Sequence, residues 1–271
     1  MLQKIVPALI GGASHIAPRM IGNWAAKQIQ VPRRKLTGRS QLPQPDETLE
    51  LDQAYVRRWG LTGQPTALLI HGWEGHHSQL HTLGGALREK GYSVVLVDPP
   101  AHGDAGGERA SPQHFADALK RAVDILGPIK LLIGHSMGGL SATLAVSQRL
   151  QASHLITIAA PADVASTING LSDWLKLSRA AQQHMRNRIE GFAGIPIAQV
   201  DTSMTLAGYR GQLLIAHDKS DRRVPVEHAT RIRNSCPGAQ LFLTSGLGHT
   251  RLLENRALCE KILSFAEEPG P

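Results

Sequence analysis

Cysteine and aromatic residues are scarce in this 271-residue chain, and no apolar run is long enough to cross a bilayer. The two cysteines, Cys236 and Cys259, stand in neither a metal-ligand nor a redox spacing, which predicts no metal site and a reducing, cytoplasmic compartment. With aromatics at 4%, the sequence shows no stacking platform for bases, so we expect no nucleic-acid partner despite the net charge of +7. The apolar stretch 5–13 is interrupted by Pro7 and is far shorter than the roughly 20 residues of a membrane span. The sequence therefore predicts a soluble protein.

The remaining composition is that of an ordinary globular chain, with 42% hydrophobic and 19% charged residues. Short apolar runs alternate with helical patterns over 47–268, which predicts one α/β domain with a doubly wound, mostly parallel sheet. The predicted strands are 67–70, 93–97, 129–133, 154–159, 212–216 and 240–244. The predicted helices between and after them are 81–90, 111–126, the helix after Ser136, 226–234 and 255–266.

Residues 1–46 precede this domain and are predicted to form an amphipathic helix followed by a linker. Apolar residues recur at helical spacing over 16–29, whereas 37–46 is rich in Pro and Gln. Arg33, Arg34, Lys35 and Arg39 form a basic run that we interpret as a solvated surface. The sequence leaves open whether the helix packs on the core or makes a weak contact with a membrane surface.

The alternation of strands and helices breaks between Pro161 and Tyr209, where no strand is predicted. Helical patterns cover 171–177 and 179–192, so a small helical cap is expected over the carboxyl edge of the sheet, where such folds bind ligands. Two interpretations of its apolar residues stay open, an acyl pocket or a face packed on the body. These residues are Trp174, Leu177, Met185, Ile189 and Phe192.

The most informative motif is Gly134-His135-Ser136-Met137-Gly138-Gly139, which stands between a predicted strand and a predicted helix. A serine in such a tight turn needs glycines beside it, because a Cβ would collide with the neighbouring strand or helix. The bare G-x-S-x-G pattern is weak, since about 0.1 to 0.2 copies are expected by chance in a chain of this size. Ser136 is therefore a candidate nucleophile that depends on the other parts of a site.

Two further residues follow later strands at the same predicted edge. Asp221 lies in the loop after strand 212–216 and His249 lies after strand 240–244, the order of acid and base in hydrolases built on this sheet. Asp218 is the alternative candidate for the acid. A base takes the proton of the serine, and an acid orients that base and stabilises its charged form.

The oxyanion of an acyl-transfer intermediate also needs donors. The backbone N–H of Met137, directly after the serine, is one candidate, and that of Trp73, in the loop after strand 67–70, is the other. No cofactor or metal is required by these groups.

Together these motifs resemble those of the α/β-hydrolase superfamily, over residues 50–268. The residues that carry the resemblance are His71-Gly72-Trp73, Asp98-Pro99-Pro100-Ala101-His102-Gly103, the Ser136 motif, Asp218 through Pro225, and Gly248-His249. The resemblance implies a catalytic triad of Ser136, Asp221 and His249, with His102 as an architectural residue. It also implies hydrolysis of a small acyl ester.

Several functions remain open on the same scaffold. Thioester or amide hydrolysis and cofactor-free haloperoxidase chemistry use the same triad, and a non-catalytic binding protein could share the fold. Acyl chain length and oligomeric state are not predicted.

Overall fold

The protein was analysed as a computed structural model, which describes residues 2–33 and 42–270. Its eight strands form one sheet in the order β1-β2-β4-β3-β5-β6-β7-β8. The strands β3 to β8 pair in parallel, whereas β1 pairs antiparallel with β2 and β2 with β4. The predicted α/β fold with a mostly parallel sheet is therefore confirmed. The strands are β1 Glu47–Leu51, β2 Ala54–Trp59, β3 Thr66–Ile70, β4 Ser93–Asp98, β5 Ile129–His135, β6 Ala152–Ile158, β7 Gln212–Asp218 and β8 Gln240–Thr244.

Helices cover both faces of the sheet, which explains why its central strands are apolar almost throughout. Side chains alternate between two cores: Leu68 and Ile70 of β3 belong to one, and Ala67 and Leu69 to the other. The helices are α1 Leu2–Ile16, α2 Pro18–Gln30, α3 His81–Glu89, α4 Pro112–Leu126, α5 Met137–Ser147, α6 Ala165–Trp174, α7 Arg179–Ala193, α8 Thr202–Thr205, α9 Glu227–Ser235, α10 Gly248–Arg251 and α11 Arg256–Ala266. Short 3-10 turns occupy His77–Leu80, Ile197–Gln199 and Leu252–Glu254.

The first helix of the cap begins earlier than the sequence pattern suggests. This helix is α6, not 171–177, because the Asp163 carboxylate accepts hydrogen bonds from the Ser166 amide at 2.6 Å and hydroxyl at 3.0 Å and so fastens the first turn. The helix ends before Lys176, whose φ of 54° is left-handed. The second cap helix, α7, agrees with the predicted 179–192 within one residue.

The N-terminal segment contains two helices, α1 and α2, separated by Ala17. The predicted helix over 16–29 corresponds to α2, whereas α1 was not predicted because Pro7 interrupts its pattern. Helix α2 packs on α7 so closely that a Cβ at Gly22 would lie 2.4 Å from the Ala181 carbonyl oxygen. Helix α1 is held to the cap by the Ser178 hydroxyl, which donates to the Ser14 carbonyl at 2.7 Å.

This packing places one face of the N-terminal helices on the cap and leaves the other exposed. Residues 34–41, which include half of the predicted linker and three of the four residues of the basic run, lie outside the described residues. The division of the chain at residue 46 stays a prediction. None of the described helices is both long enough and apolar enough to cross a lipid bilayer.

Candidate active site

Ser136 occupies the turn between β5 and α5 in a strained conformation, with φ of 54° and ψ of −123°. A left-handed φ is costly for a residue with a side chain, so the surroundings must hold it. The Ser136 amide donates to the Ile158 carbonyl at 2.8 Å. The flanking glycines allow the approach: a Cβ at Gly134 would lie 2.4 Å from the Gly138 carbonyl oxygen, and one at Gly138 would lie 2.4 Å from that of His71.

The structure brings Ser136, His249 and Asp221 into one hydrogen-bonded chain. Nε2 of His249 lies 3.0 Å from the Ser136 Oγ, and Nδ1 of His249 lies 2.7 Å from Oδ2 of Asp221. The carboxylate accepts from Nδ1–H, which leaves Nε2 with its lone pair toward the serine hydroxyl. Three residues that follow three different strands thus meet at the carboxyl edge of the sheet.

Asp221 is buried, and its second oxygen is also occupied. Oδ1 accepts from the backbone amides of Arg223 at 2.8 Å and Val224 at 3.0 Å. Burial alone would raise the pKa of the Asp221 carboxyl, but the hydrogen bond from His249 and the two amides outweigh it and hold the pKa below its usual range. The carboxylate is therefore ionised at neutral pH and fixed in orientation.

Asp218, the rival acid, has a different set of partners. It accepts from the Thr244 hydroxyl at 2.7 Å and from the amides of Ser220 at 2.8 Å, Gly248 at 3.0 Å and Leu247 at 3.1 Å. Burial opposes its charge, yet these donors lower the pKa of Asp218 to about 2. Asp218 thus fastens the loop that carries His249, and Asp221 is the acid that contacts the imidazole.

The two predicted oxyanion donors lie beside Ser136. Gly72 packs so tightly that a Cβ there would lie 2.7 Å from the Ser136 Cβ, and Trp73 is the next residue. Met137 is the first residue of α5, so its amide has no intrahelical acceptor. Within the described residues, neither the Trp73 nor the Met137 N–H donates to a protein group. Both residues line the same cavity as Ser136.

Asp98 holds the loop that carries Trp73, a role that sequence reasoning missed. Its carboxylate accepts from Nε2 of His71 at 3.0 Å, from Nδ1 of His77 at 2.9 Å and from Arg57 at 2.9 Å. Burial alone would raise the pKa of Asp98, but the hydrogen bonds and charges of the two histidines hold it well below its usual range. Only the position of Asp98 at the end of a buried strand hinted at this role.

His102 packs beneath the same loop. Its Nδ1 donates to the Pro100 carbonyl at 2.9 Å, and its ring lies 4.9 Å from the Trp73 ring and 5.0 Å from that of Phe115. These contacts suit the architectural role that was predicted for it.

His135, the residue before Ser136, was also missed. Its Nε2–H donates to the His249 carbonyl at 2.9 Å, and the two rings lie 4.8 Å apart. Burial, and then the nearby charge of His249, lower the pKa of His135 to about 3. A neutral His135 therefore positions the His249 backbone without adding a second cation. The one sequence signal for His135 was its place as the first variable residue of the G-x-S-x-G motif, directly before Ser136.

The cavity above Ser136 has a volume of about 530 Å³ and a mixed but largely apolar lining. The cap supplies Val164, Ile168 and Ile189, and α2 supplies Ile29 and Gln30. Of the five apolar cap residues named from the sequence, Ile189 lines the cavity, whereas Leu177 and Met185 are buried in the core. Trp174 is 58% exposed, and Phe192 stacks on His114.

One cluster has the residue types of a metal site: His76, His77, Asp98 and Asp104 have ligand atoms within 4.8 Å of one another. Arg57 already bridges the two carboxylates of this cluster by ion pairs. Its guanidinium supplies the positive charge that a metal ion would bring, so we assign no metal to the cluster.

Comparison with known proteins places this geometry in context. The family model described as "Alpha/beta hydrolase family" matches residues 67–261. A 2-hydroxy-6-oxo-6-phenylhexa-2,4-dienoate hydrolase of Burkholderia cepacia is 22% identical over 222 residues, covering 66% of this chain and 76% of that protein. The mouse sn-1-specific diacylglycerol lipase ABHD11 is 28% identical over 133 residues, covering 48% of this chain and 43% of that protein.

A solved structure supports the same fold. The esterase Pf2001 of Pyrococcus furiosus superposes with a TM-score of 0.64 at 18% identity, covering 87% of this chain and 97% of that one. At this identity the similarity concerns the arrangement of strands and helices.

Proposed function

We propose that this chain, which belongs to the alpha/beta hydrolase family, is a serine hydrolase that cleaves carboxylic esters through an acyl-enzyme on Ser136. The observation that carries the proposal is the continuous hydrogen-bonded chain from Ser136 through His249 to Asp221. The three hydrogen-bonded side chains lie at a cavity that is large enough for a small ester. A structural serine would need neither the base nor the acid.

In the first half of the reaction, His249 takes the Ser136 proton at Nε2 while Oγ attacks the ester carbonyl. The carbonyl oxygen becomes an oxyanion, which the free N–H groups of Trp73 and Met137 stabilise. Asp221 stabilises the imidazolium that forms, because its carboxylate is ionised and bonded to Nδ1. The imidazolium then gives its proton to the leaving alkoxide, and the acyl group stays on Oγ.

In the second half, water replaces the alcohol. His249 removes a proton from the water as it attacks the acyl carbonyl, and the same two N–H groups receive the second oxyanion. Collapse returns the proton to the Ser136 Oγ and releases the carboxylic acid. No cofactor enters these steps.

The lining of the cavity supports an acyl ester with an apolar chain. Apolar cap residues and Ile29 surround the serine, and burial of a methylene group gains about 0.8 kcal/mol. We therefore assign small acyl esters as the substrate class. Both cysteines are free thiols, which favours the cytoplasm as the compartment of the proposed enzyme.

The proposal is tested with p-nitrophenyl esters of graded chain length and a fluorophosphonate probe. Ser136→Ala is expected to abolish turnover and covalent labelling. Ser141→Ala is the matched control, because Ser141 is a buried serine in α5, the helix that follows Ser136, and its hydroxyl has no partner in the described structure.

Full turnover by folded Ser136→Ala would overturn the mechanism. Absence of an adduct on Ser136 in the folded wild-type protein would favour a non-catalytic binding protein. A parallel series of acyl-CoA thioesters tests the substrate class, since a preference for thioesters would replace the ester assignment.

A further inference from the structure

The N-terminal helices α1 and α2 differ from an ordinary surface helix, because they keep several large apolar side chains exposed. Their small residues face the cap: Gly11, Ser14, Gly22, Ala25 and Ala26 are buried. Several of their large apolar residues face outward, with Leu9 68% exposed, Ile16 88% and Met20 67%, whereas Ile10, Ile21 and Ile29 are partly buried against the core. A surface helix normally buries its large apolar side chains in the core. The cap therefore leaves one strongly apolar face of this helix pair unburied.

The outward residues are concentrated in one segment of the chain. Met20 and Trp24 are four residues apart on α2, so they lie in one row along its surface, and Ile16 is the last residue of α1. Six of the eleven large apolar side chains exposed in the described structure fall within residues 6–31. They are Val6, Leu9, Ile16, Met20, Trp24 and Val31, and we call them the outer face. Grouped apolar exposure of this kind marks an interaction site, whereas scattered single residues do not.

The charge of the chain is concentrated in the same segment. Residues 1–45 contain seven Lys and Arg residues and no Asp or Glu, since the first acidic residue is Asp46. The other 226 residues carry 22 basic and 22 acidic residues, so the whole net charge of +7 comes from this segment. Arg19 and Lys27 are exposed in a row beside the row of Met20 and Trp24. Apolar and cationic side chains are thus available together.

We propose that the outer face docks this protein on an anionic lipid surface. Large apolar side chains enter the boundary between headgroups and acyl chains, and neighbouring cations pair with lipid phosphates, as in helices that lie in the plane of a membrane. A second copy of the chain would present the same positive charge and be repelled. Nucleic acid would use the cations but leave the exposed apolar side chains in water.

The helix that carries part of the outer face also reaches the cavity. Helix α2, which carries Met20 and Trp24 outward, ends in Ile29 and Gln30 on the wall of the cavity that holds Ser136. An ester taken from the lipid surface would therefore meet the catalytic cavity beside the helix that binds the membrane. Docking itself needs no catalysis, so it is measured separately from the proposed function.

The experiment is flotation of the full chain with vesicles of phosphatidylcholine containing about 30% phosphatidylglycerol, compared with pure phosphatidylcholine. We expect binding to the anionic vesicles that weakens in about 0.5 M salt, where charges are screened beyond a few ångströms. The double variant Ile16→Ser with Met20→Ser is expected to lower the partition coefficient about tenfold or more, because two insertions are lost. Arg19→Gln with Lys27→Gln should lower binding to anionic vesicles alone.

The matched control is Leu61→Ser with Ile125→Ser, which removes two large apolar side chains that are 73% and 59% exposed elsewhere on the surface. This variant is expected to bind as the wild type does. Equal losses in both double variants, or no binding of the wild type to anionic vesicles at low salt, would overturn the proposal. A dimer that Ile16→Ser with Met20→Ser dissociates, without vesicle binding, would assign the face to a second copy instead.

Catalysis and docking are distinguished by Ser136→Ala, which is expected to float like the wild type although it hydrolyses nothing. Hydrolysis of a water-soluble short ester should be unchanged in Ile16→Ser with Met20→Ser. If the wild type floats but hydrolyses no ester, the proposed function fails and the docking surface stands.

Discussion

The substitution Asp221→Asn separates the two candidate acids and tests the proposed roles of the hydrogen-bonded chain. It removes one charge and almost no volume. The carboxylate Oδ1 accepts two backbone N–H groups, from Arg223 and Val224, so the side-chain oxygen of the introduced Asn must stay on that side. A flipped amide would face both N–H groups with its own donors, at a cost of about 1–3 kcal/mol for each group left unpaired.

The NH₂ group of the introduced Asn then faces Nδ1 of His249, where Oδ2 of Asp221 lies at 2.7 Å. Nδ1 has to accept that hydrogen bond, which moves the imidazole proton to Nε2. Nε2–H points at the Ser136 Oγ, 3.0 Å away, and can no longer take its proton. The base is lost although every heavy atom keeps its place.

The magnitude follows from the wrong tautomer together with the loss of the anion beside the imidazolium. We expect kcat/KM for a p-nitrophenyl ester to fall about 10³- to 10⁴-fold, which corresponds to about 4 to 5.5 kcal/mol of transition-state stabilisation. The measurement is steady-state kinetics at neutral pH, with the fold checked by circular dichroism and urea unfolding.

Asp218→Asn is the matched control, since it makes the same chemical change three residues earlier. Asp218 accepts four hydrogen bonds but contacts no atom of the imidazole, so we expect a loss of stability of about 3 kcal/mol and a rate within about tenfold of the wild type. The assignment of the acid would be refuted if Asp221→Asn kept a tenth of the wild-type kcat/KM, or if the two variants lost activity equally.

Three further predictions follow from the packing and charges around the site. Gly72→Ala should lower kcat at least about tenfold with little change in KM, because its Cβ would lie 2.7 Å from the Ser136 Cβ and displace the nucleophile; unchanged kinetics would contradict the close approach. Gln30→Leu should raise the free energy of unfolding in urea by about 1 kcal/mol, since Nε2 of this buried side chain has no partner in the described structure; a loss of stability would indicate an overlooked bond. The pKa of Asp218 is lowered to about 2, which is below the value of an Asp in the unfolded chain. The ionised Asp218 therefore stabilises the fold above about pH 4, and this stabilisation declines as the pH falls toward 2. The urea midpoints of the wild type and Asp218→Asn should converge over that range.

The sequence was sufficient for those parts of the fold that are encoded in continuous segments. The central strands are apolar runs, and the Ser111 cap marks the start of α4, so both could be predicted from neighbouring residues. The hairpin of β1 and β2 was missed because β1 alternates half-buried and exposed residues without an apolar run. Helix α1 was missed because Pro7 interrupts its apolar pattern and normally breaks a helix. Near a helix start the proline costs little, since it leaves only the Gln3 carbonyl without an intrahelical donor.

The residues of the candidate site could be predicted where they lie in loops directly after predicted strands. The motif around Ser136 and the order of the later loops pointed to Asp221 and His249, but the choice between Asp221 and Asp218 needed three-dimensional contacts. The role of Asp98 depends on partners that are distant in the chain, such as Arg57. No local pattern reports such contacts, so residues that position a loop are harder to predict than those in the loop.

The N-terminal helices show why a periodic pattern does not decide what a helix contacts. Apolar residues at helical spacing predict that one face of a helix is hydrophobic. The two expectations for this segment assigned that one face either to packing on the protein or to contact with a membrane. The structure shows that the face against α7 is made of small residues, such as Gly22 and Ala25, which allow close helix contact without large apolar side chains. Ile16 and Met20 are therefore not needed for folding, and their exposure has a cost in solubility. Because packing on the cap and docking on lipid use opposite faces, the two expectations are compatible, and the flotation experiment tests the second without disturbing the first.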